Sequence, residues 1–243
     1  MQIIKLNATE STNAYLKNLV LEKELDDFTI VVANKQWNGR GQMGTKWEAE
    51  PGKNLTFSVL KKDLNLSVKN QFWLNMGVSL AIYDALRQLH VPDLSIKWPN
   101  DILSGRFKIC GILIENILLG TKIQTSIFGI GLNVNQLDFG DLSQASSLKL
   151  ILGRTFILDE LLNSIMEQLR RYLDLISQNK GSILLSSYEN VLFRRDKPST
   201  FRDAQGELVM GFIKGVSAVG KLMVLLEDDV LTEFDLKEMQ LLY

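Results

Sequence analysis

The sequence predicts an α+β protein, with a mixed, mostly antiparallel sheet backed by helices and a small C-terminal all-β domain. Three observations lead to this fold class. Residues 107 to 118 and 122 to 134 have the pattern of two strands joined by a short loop, which is typical of an antiparallel hairpin. Residues 68 to 89 and 159 to 176 have the apolar spacing of amphipathic helices. Residues 194 to 243 contain only short strand-like segments, which indicates a small barrel.

The order of the remaining elements follows from local periodicity and turn residues. Ser11 and Thr12 are suited to cap the start of a helix, and the helix over 68 to 89 must end before Pro92. The buried face of that helix is expected to carry Phe72, Trp73, Met76 and Leu80. The other predicted elements are a strand over 3 to 6, a helix over 12 to 24, strands over 29 to 36 and 55 to 62, and a helix over 183 to 193. We therefore expect one domain over residues 1–193 and a second over 194–243.

Composition limits the classes of function. Hydrophobic residues make up 46% of the 243 residues, enough for a sizeable core, and the formal net charge is -1. This balance offers no global attraction to nucleic acid or to an anionic membrane. Cys110 is the only cysteine, which excludes an intramolecular disulfide and fits a reducing compartment. Because the N-terminus does not resemble a secretory signal and no apolar run is long enough to span a bilayer, we expect a soluble, cytoplasmic protein.

A glycine-rich segment, GRGQMG at 39–44, follows the strand predicted over 29 to 36. The spacing GxGxxG is typical of dinucleotide sites, but such a site needs a helix immediately after it to hold the pyrophosphate. The continuation contains Pro51 and Gly52 and has no helical period, so we reject that interpretation. Residues 38 to 53, the glycine loop, are instead predicted to form a flexible loop whose cations could close over an anionic ligand; a solvated surface loop is the alternative. These cations are Arg40, Lys46 and Lys53.

A second motif, KWPND, occupies residues 97–101. Pro99 forces Trp98 toward an extended conformation, so that a cation and a carboxylate flank a stiff turn. Taken alone, this could be a structural turn with a salt bridge.

Together these two motifs resemble the biotin protein ligase family, also called biotin–[acetyl-CoA-carboxylase] ligase. Three further segments match in the expected order, namely ESTN at 10–13, KICGILIE at 108–115 and GIGLN at 129–133. The resemblance covers essentially the whole chain. It implies a catalytic biotin/lipoate ligase-type domain over 1–193, with a fold like that of class II aminoacyl-tRNA synthetases and biotin synthetases. It also implies an SH3-like β-barrel domain over 194–243, where Gly211, Gly215 and Gly220 fall as expected.

The resemblance also implies an activity. Such an enzyme activates biotin with ATP and Mg2+ to biotinyl-5'-AMP, and then transfers biotin to a lysine of a biotin carboxyl carrier protein or of the corresponding domain of a carboxylase. Some members carry an N-terminal DNA-binding domain, whereas this chain begins at the first catalytic strand. We therefore expect a monofunctional ligase with neither a nucleic-acid nor a membrane partner. The oligomeric state stays open, a homodimer included.

Site residues follow from the resemblance, position by position. The catalytic residues would be Lys108, Arg40 and Asp101, with Asp101 also near the magnesium ion. Biotin would be bound by Ser11, Thr12, Asn13, Gln36, Arg40, Gly41, Gln42, Lys108 and Gly111. ATP would be bound by Arg40, Trp47, Asn100, Asp101, Lys108 and Asn133.

The chemistry of the reaction explains why these residue types suit it. Activation brings a carboxylate and a phosphate together, so the site needs fixed positive charge, and Lys108 would stand between the two anions. The ureido ring of biotin needs both acceptors and donors, which Ser11, Thr12 and Gln36 can supply. Helix capping by Ser11 and Thr12 is compatible with that role. The alternative for Lys108 is an exposed lysine at the end of a strand.

The chain departs from the family in the charge of its glycine loop. Many members have GRGRRGR there, whereas this chain has Gln42, Met43 and Thr45 at three of these positions. If the missing arginines retain the adenylate, this enzyme would release it more readily.

Two other functions are alternatives to a biotin ligase, and the single cysteine and histidine could suggest a different chemistry. A lipoate protein ligase would have a similar fold and an analogous adenylation, although KWPND and the GRG loop favour biotin. A non-catalytic ligand sensor or DNA-binding regulator would bind DNA with a steep salt dependence. Cys110 and His90 are far apart in sequence, so we assign neither a nucleophilic nor a metal-binding role to them, and expect Cys110 to be packing.

Overall fold

The computed structural model describes residues 2–236 and 238–243. An eight-stranded sheet forms the larger part of the protein and a five-stranded sheet follows it. The strands of the first sheet are β1 (Ile3–Thr9), β2 (Ile30–Gln36), β3 (Leu55–Lys61), β4 (Leu66–Ser67), β5 (Leu94–Lys97), β6 (Asp101–Ser104), β7 (Phe107–Leu119) and β8 (Lys122–Leu132). The helices are α1 (Thr12–Glu22), α2 (Phe72–Gln88), α3 (Leu148–Leu152), α4 (Leu158–Ser177) and α5 (Gly181–Asn190). The second sheet contains β9 (Pro198–Asp203), β10 (Leu208–Val216), β11 (Leu222–Leu226), β12 (Leu231–Phe234) and β13 (Met239–Leu242).

The first sheet is mixed and mostly antiparallel, as predicted. Its order is β1-β2-β3-β8-β7-β6-β5, with β4 beside β8. Only β1 and β2 run parallel; all other pairs are antiparallel. The predicted hairpin is confirmed, since β7 and β8 pair from Cys110 opposite Leu132 to Leu119 opposite Lys122. Strands β3, β8 and β7 therefore form the middle of the sheet.

Helix α2 is buried on most of its surface. It packs against α4, α5 and strands of the first sheet. Of the residues predicted for its buried face, Phe72, Met76 and Leu80 are buried, whereas Trp73 is half-buried. The Trp73 ring lies against Gly181, where an added Cβ would be 2.1 Å from the ring. The Trp73 side chain of α2 thus packs against the first residue of α5.

Several predicted element boundaries are wrong, for local reasons. The helix predicted over 68 to 89 begins as a 3-10 turn over Val68–Asn70, and α2 starts only at Phe72. The last predicted helix lies earlier than expected, because Leu192 leaves it to bridge Ile96 beside β5. Short helix α3 was not predicted; its N-cap Ser147 accepts a hydrogen bond from the Leu150 amide at 3.2 Å.

The second sheet has the strand order β12-β11-β10-β9-β13, with every pair antiparallel. The predicted all-β character of the C-terminal segment is therefore confirmed. The division at residues 193 and 194 and the likeness to an SH3 barrel stay predictions. Buried side chains of both sheets, among them Phe57 and Phe201, belong to one continuous hydrophobic core.

The two sheets also meet through a polar contact near KWPND. The indole Nε1 of Trp98 donates a hydrogen bond to the carbonyl oxygen of Gly220 at 2.9 Å. Gly220 has a φ of +91°, and a Cβ there would lie 2.2 Å from the Phe72 ring. The close approach of the turn between β10 and β11 to helix α2 therefore requires glycine at this position. Across residues 2–236 and 238–243, none of the helices combines the length and the apolar character that crossing a bilayer requires.

Candidate active site

A cavity of about 280 Å³ lies where the glycine loop and the KWPND turn face the middle strands of the first sheet. Twelve of the thirteen site residues predicted from the sequence line it, namely Ser11, Thr12, Asn13, Gln36, Arg40, Gly41, Gln42, Trp47, Asn100, Asp101, Lys108 and Gly111. The thirteenth, Asn133, is buried just after β8 and does not belong to the lining. Its amide Nδ2 donates to the carbonyl oxygen of Ser146 at 3.0 Å, which holds the following loop. The assignment of Asn133 to ATP stays a prediction.

One end of the cavity is lined by uncharged side chains that are densely hydrogen-bonded, and we call it the neutral end. Gln36 Oε1 accepts from the Thr12 amide at 2.7 Å and from the Thr12 hydroxyl at 3.1 Å. The Ser58 hydroxyl lies 2.7 Å from Thr12 Oγ1 and 2.6 Å from Asn13 Oδ1. Asn13 Nδ2 donates to Glu115 Oε2 at 2.9 Å. This network holds several uncharged donors and acceptors in fixed positions beside the cavity.

One residue of this end was beyond sequence reasoning, whereas Gly129 was expected from the family resemblance to permit a close approach. Ser58, on β3, had no motif to mark it, and the packing of α1 against β3 brings it beside Asn13. Gly129 is opposite Ser58 on β8, and a Cβ there would lie 2.4 Å from Asn13 Oδ1. Glycine at 129 therefore makes room for the Asn13 amide. Ser11 caps α1 as predicted, with its hydroxyl 3.5 Å from the Ala14 amide.

The other end of the cavity is charged. Lys108 Nζ lies 2.7 Å from Asp101 Oδ1, and both side chains are partly exposed. A β-bulge makes this pairing: Asp101 is opposite Gly111, but Leu103 is opposite Lys108. In an uninterrupted ladder Ile109, not Lys108, would be opposite Leu103. The backbone of Lys108 is held in addition, since its amide donates to the carbonyl oxygen of Gln144 at 2.7 Å.

Lys97 is a second cation of this end, and it is absent from the site residues predicted from the sequence. It lines the cavity from the end of β5. Burial lowers the pKa of its ammonium, and neighbouring Lys108 adds to the effect, while Asp101 opposes it. Lys97 is the first residue of the KWPND motif, so the motif itself could have indicated this cation.

The glycine loop is folded onto the cavity. It forms a 3-10 turn over Gln42–Gly44, closed by a hydrogen bond from the Gly41 amide to the carbonyl oxygen of Thr45 at 2.7 Å. Arg40 reaches outward to Glu10 Oε1 at 3.2 Å. Hydrogen bonds from Asn38 and Arg40 lower the pKa of Glu10. The loop is followed by strand β3 and not by an α-helix, which agrees with the rejection of a dinucleotide-binding site.

Trp47 of this loop lies flat against the centre of the sheet. Its ring packs on Gly131 and Gly111, which are opposite each other on β8 and β7. A Cβ at Gly131 would lie 2.2 Å from the indole, and one at Gly111 would lie 3.1 Å from it. The ring centroid is 5.8 Å from Lys108 Nζ, and the indole Nε1 is buried without a hydrogen-bond partner in the described part of the chain. The glycine pair thus forms a flat floor for an aromatic ring.

Asn100 and Cys110 are buried and serve the framework. The Asn100 amide donates to the carbonyl oxygen of Ile112, which ties the KWPND turn to β7. Cys110 is fully buried, and burial raises the pKa of its thiol well above the usual range. This agrees with the interpretation of Cys110 as packing. Within residues 2–236 and 238–243, no three histidine, cysteine or acidic side chains come together as a metal site.

Comparison with known proteins places the fold and the site in a family. Residues 6–133 match the model of the Biotin/lipoate A/B protein ligase family. The chain is 32% identical over 179 residues to the Bifunctional ligase/repressor BirA of Bacillus subtilis, covering 69% of this chain and 53% of the relative. It is 37% identical over 131 residues to the Biotin–[acetyl-CoA-carboxylase] ligase of Paracoccus denitrificans, covering 53% of each. The chain therefore spans about half the length of these relatives.

Solved structures resemble the whole chain. Biotin protein ligase from Aquifex aeolicus, solved in complex with biotin and ATP, superimposes with a TM-score of 0.82 at 26% identity, covering 99% of this chain and 98% of that one. The likeness extends over both sheets, and so beyond the segment that the family model matches. The fold, the motif order and the match over residues 6–133 agree: this chain belongs to the Biotin/lipoate A/B protein ligase family.

Proposed function

We propose that the chain is a biotin protein ligase, which activates biotin with ATP and transfers it to a lysine of a carrier protein. The observation that carries the proposal is one cavity with two chemically different ends. A neutral hydrogen-bonding network around Thr12 and Gln36 occupies one end, and the Lys108–Asp101 ion pair with Lys97 occupies the other. The names of the relatives, several of which are biotin ligases, point to the same activity.

The neutral end suits the ureido ring of biotin. That ring has two N–H donors and one carbonyl acceptor and carries no charge. Gln36, Thr12 and Asn13 offer amide and hydroxyl groups that can both donate and accept. Because each already has a protein partner, the network is rigid before the ligand arrives, which reduces the entropy lost on binding.

The charged end suits the joining of two anions. A carboxylate oxygen of biotin attacks the α-phosphorus of ATP, the bond from phosphorus to the bridging oxygen breaks, and pyrophosphate leaves. The ammonium of Lys108 would neutralise charge on both the carboxylate and the α-phosphate, as a compact cation can. Arg40 and Lys46 of the glycine loop add positive charge on the solvent side. These residue roles are part of the proposal.

Magnesium fits this site as a companion of the phosphates. Mg2+ in nucleotide sites takes one or two protein carboxylates and completes its shell with phosphate oxygens and water. Asp101 offers one carboxylate at the cavity wall, with one oxygen on Lys108. The ion would neutralise phosphate charge, and Asp101 would hold it beside Lys108.

Transfer needs a second attack, by the amine of an acceptor lysine on the acyl carbon of the adenylate, with AMP as leaving group. The glycine loop lies over the cavity and would protect the mixed anhydride from water until the acceptor arrives. Asp101 is the carboxylate of the cavity wall that could accept the proton of the amine. The acceptor in this proposal is a biotin carboxyl carrier protein or domain. The proposed location is the cytoplasm, supported by a single cysteine that is buried.

The test is incubation of the protein with ATP, Mg2+, biotin and a biotin carrier domain, followed by intact-mass measurement of the carrier. We expect a gain equal to biotin less one water, dependent on ATP and on the carrier's acceptor lysine. Pyrophosphate exchange measured separately with biotin and with lipoate tests the substrate. Exchange with lipoate alone would contradict the proposal in favour of a lipoate ligase, and no exchange with either would contradict an adenylating activity.

A further inference from the structure

Tyr243, the residue after β13 of the second sheet, contacts a lysine of the cavity in the first sheet. Lys97 Nζ donates a hydrogen bond to the Tyr243 hydroxyl at 3.3 Å. The same ammonium lies 4.5 Å from the centroid of the Tyr243 ring. This distance falls within the range of a cation–π interaction. One side chain thus offers Lys97 both a hydroxyl and an aromatic face.

Two further contacts hold Tyr243 in place. Its ring meets Phe193 edge to face, with the centroids 5.0 Å apart and the planes at 67°. Its main-chain carbonyl oxygen accepts a hydrogen bond from Gln144 Nε2 at 2.9 Å. The main-chain carbonyl of Gln144 in turn accepts from the Lys108 amide. Tyr243 is therefore connected to Lys97 directly and to Lys108 through one residue.

Lys97 needs such a partner. Burial disfavours its charged form. Asp101, the carboxylate that favours its charged form, is engaged by Lys108 at 2.7 Å, and within residues 2–236 and 238–243 no acidic side chain forms an ion pair with Lys97. An aromatic face stabilises an ammonium without neutralising it, which leaves the positive charge available to an anionic ligand.

We propose that Tyr243 is a positioning residue, which holds the Lys97 ammonium against the cavity wall where the polyphosphate of the nucleotide binds. Through this contact the second sheet takes part in nucleotide binding although Tyr243 does not line the cavity. The inference rests on the proposed ligase function, because it assigns Lys97 to the nucleotide of that reaction. A lysine that lost this support would sample many rotamers, and its contribution to ATP binding would fall.

The experiment compares Tyr243→Leu, Tyr243→Phe and Lys97→Met in biotin-dependent pyrophosphate exchange. ATP and biotin are varied separately. We expect Tyr243→Leu to raise KM for ATP about tenfold, as the loss of a partly buried cation–π contact would, with KM for biotin unchanged. Tyr243→Phe retains the aromatic face and should raise KM for ATP only about two- to threefold. In the Lys97→Met background, both Tyr243 substitutions should have no further effect, since the contact they remove is already lost.

Tyr83→Phe is the matched control, because Tyr83 is half-buried on α2 and lies outside the cavity lining. Additive effects of the Lys97 and Tyr243 substitutions, equal changes in both KM values, or unchanged KM for ATP would each overturn the inference. If Tyr243→Leu unfolds, the cycle of Tyr243→Phe with Lys97→Met decides by the same criteria. A wild-type protein without biotin-dependent exchange would instead contradict the proposed function.

Discussion

At the scale of single residues, the pair of Lys108 and Asp101 shows how a strand irregularity creates a site. The bulge between β6 and β7 places Lys108, rather than Ile109, opposite Leu103 and within 2.7 Å of the Asp101 carboxylate. In the proposed reaction, an ammonium held in this way would be preorganised for developing negative charge, because it would not have to be reoriented.

Replacement of Lys108 by alanine tests this role. Removal of one such donor costs about 3 kcal/mol of transition-state stabilisation, so Lys108→Ala should slow adenylation by roughly two orders of magnitude. The measurement is biotin-dependent pyrophosphate exchange at saturating ATP and biotin. Lys122→Ala, at the exposed start of β8, is the control. Near-normal adenylation in Lys108→Ala would refute the assignment.

Gly129 tests the neutral end of the cavity in a different way. A methyl group at 129 would lie 2.4 Å from Asn13 Oδ1 and would push the amide away from Ser58 and Glu115. We expect Gly129→Ala to raise KM for biotin by about tenfold, which corresponds to the loss of one or two hydrogen bonds of ~1 kcal/mol each.

The control for this substitution is Gly77→Ala in α2, where the nearest atom to the new Cβ is the flexible end of Ile176, at 3.1 Å, and Tyr172 is at an ordinary contact distance of 3.8 Å. It should leave KM for biotin unchanged. A rise in KM for ATP but not for biotin in Gly129→Ala would show that the neutral end does not bind biotin.

At the scale of elements, the glycine loop has a folded backbone and carries less positive charge than the same loop in many family members. Gln42 lines the cavity at the start of the 3-10 turn, where many family members carry arginine. A cation at this position would face the phosphate of the adenylate. Exposed ion pairs contribute up to about 1 kcal/mol, so Gln42→Arg should slow adenylate release about two- to fivefold.

Release is measured by the appearance of the adenylate in solution when no acceptor is present. Gln42→Leu, which removes the amide without adding charge, is the matched control and should not slow release. Equal release rates for wild type and Gln42→Arg would remove the support for a charge effect of the loop.

Elements whose apolar spacing is unambiguous were predictable from the sequence, and element ends were not. Periodicity located β7, β8, α2 and α4 because each of them packs apolar side chains against neighbouring elements. The ends depended on partners distant in the chain. The last turn predicted for α5 is absent because Leu192 bridges Ile96, a pairing that no local pattern reveals.

At the scale of the whole molecule, the two sheets share one hydrophobic core, and Gly220 lies at the junction between the two parts of the protein. Gly220, in the turn between β10 and β11, lies against Phe72 of α2 and accepts the hydrogen bond of Trp98, so this turn packs directly on the larger part of the protein. Because the core is continuous, we expect unfolding in urea to be one transition, coincident by far-UV circular dichroism and by tryptophan fluorescence.

Gly220→Ala should destabilise the protein by roughly 2 kcal/mol or more, since the new methyl group both overlaps Phe72 and strains a positive φ. Gly206→Ala separates the two effects. Gly206 has the same φ of +91° but nothing within 4 Å of its added Cβ, so its substitution should cost only the conformational strain. Equal losses in unfolding free energy for the two variants would contradict a steric role of the junction.

The sequence by itself determined the class of the fold, the family and about half of the cavity lining, because these depend on local periodicity and on motifs short enough to read along the chain. Tertiary structure decided what distant segments do to one another. It placed Ser58 beside Asn13, and it brought Tyr243 to Lys97. It also directed the Asn133 amide to the loop at Ser146 rather than to the cavity lining. Contacts of this kind depend on strand register and on the packing of one sheet against another, and these arise only when the whole chain is folded.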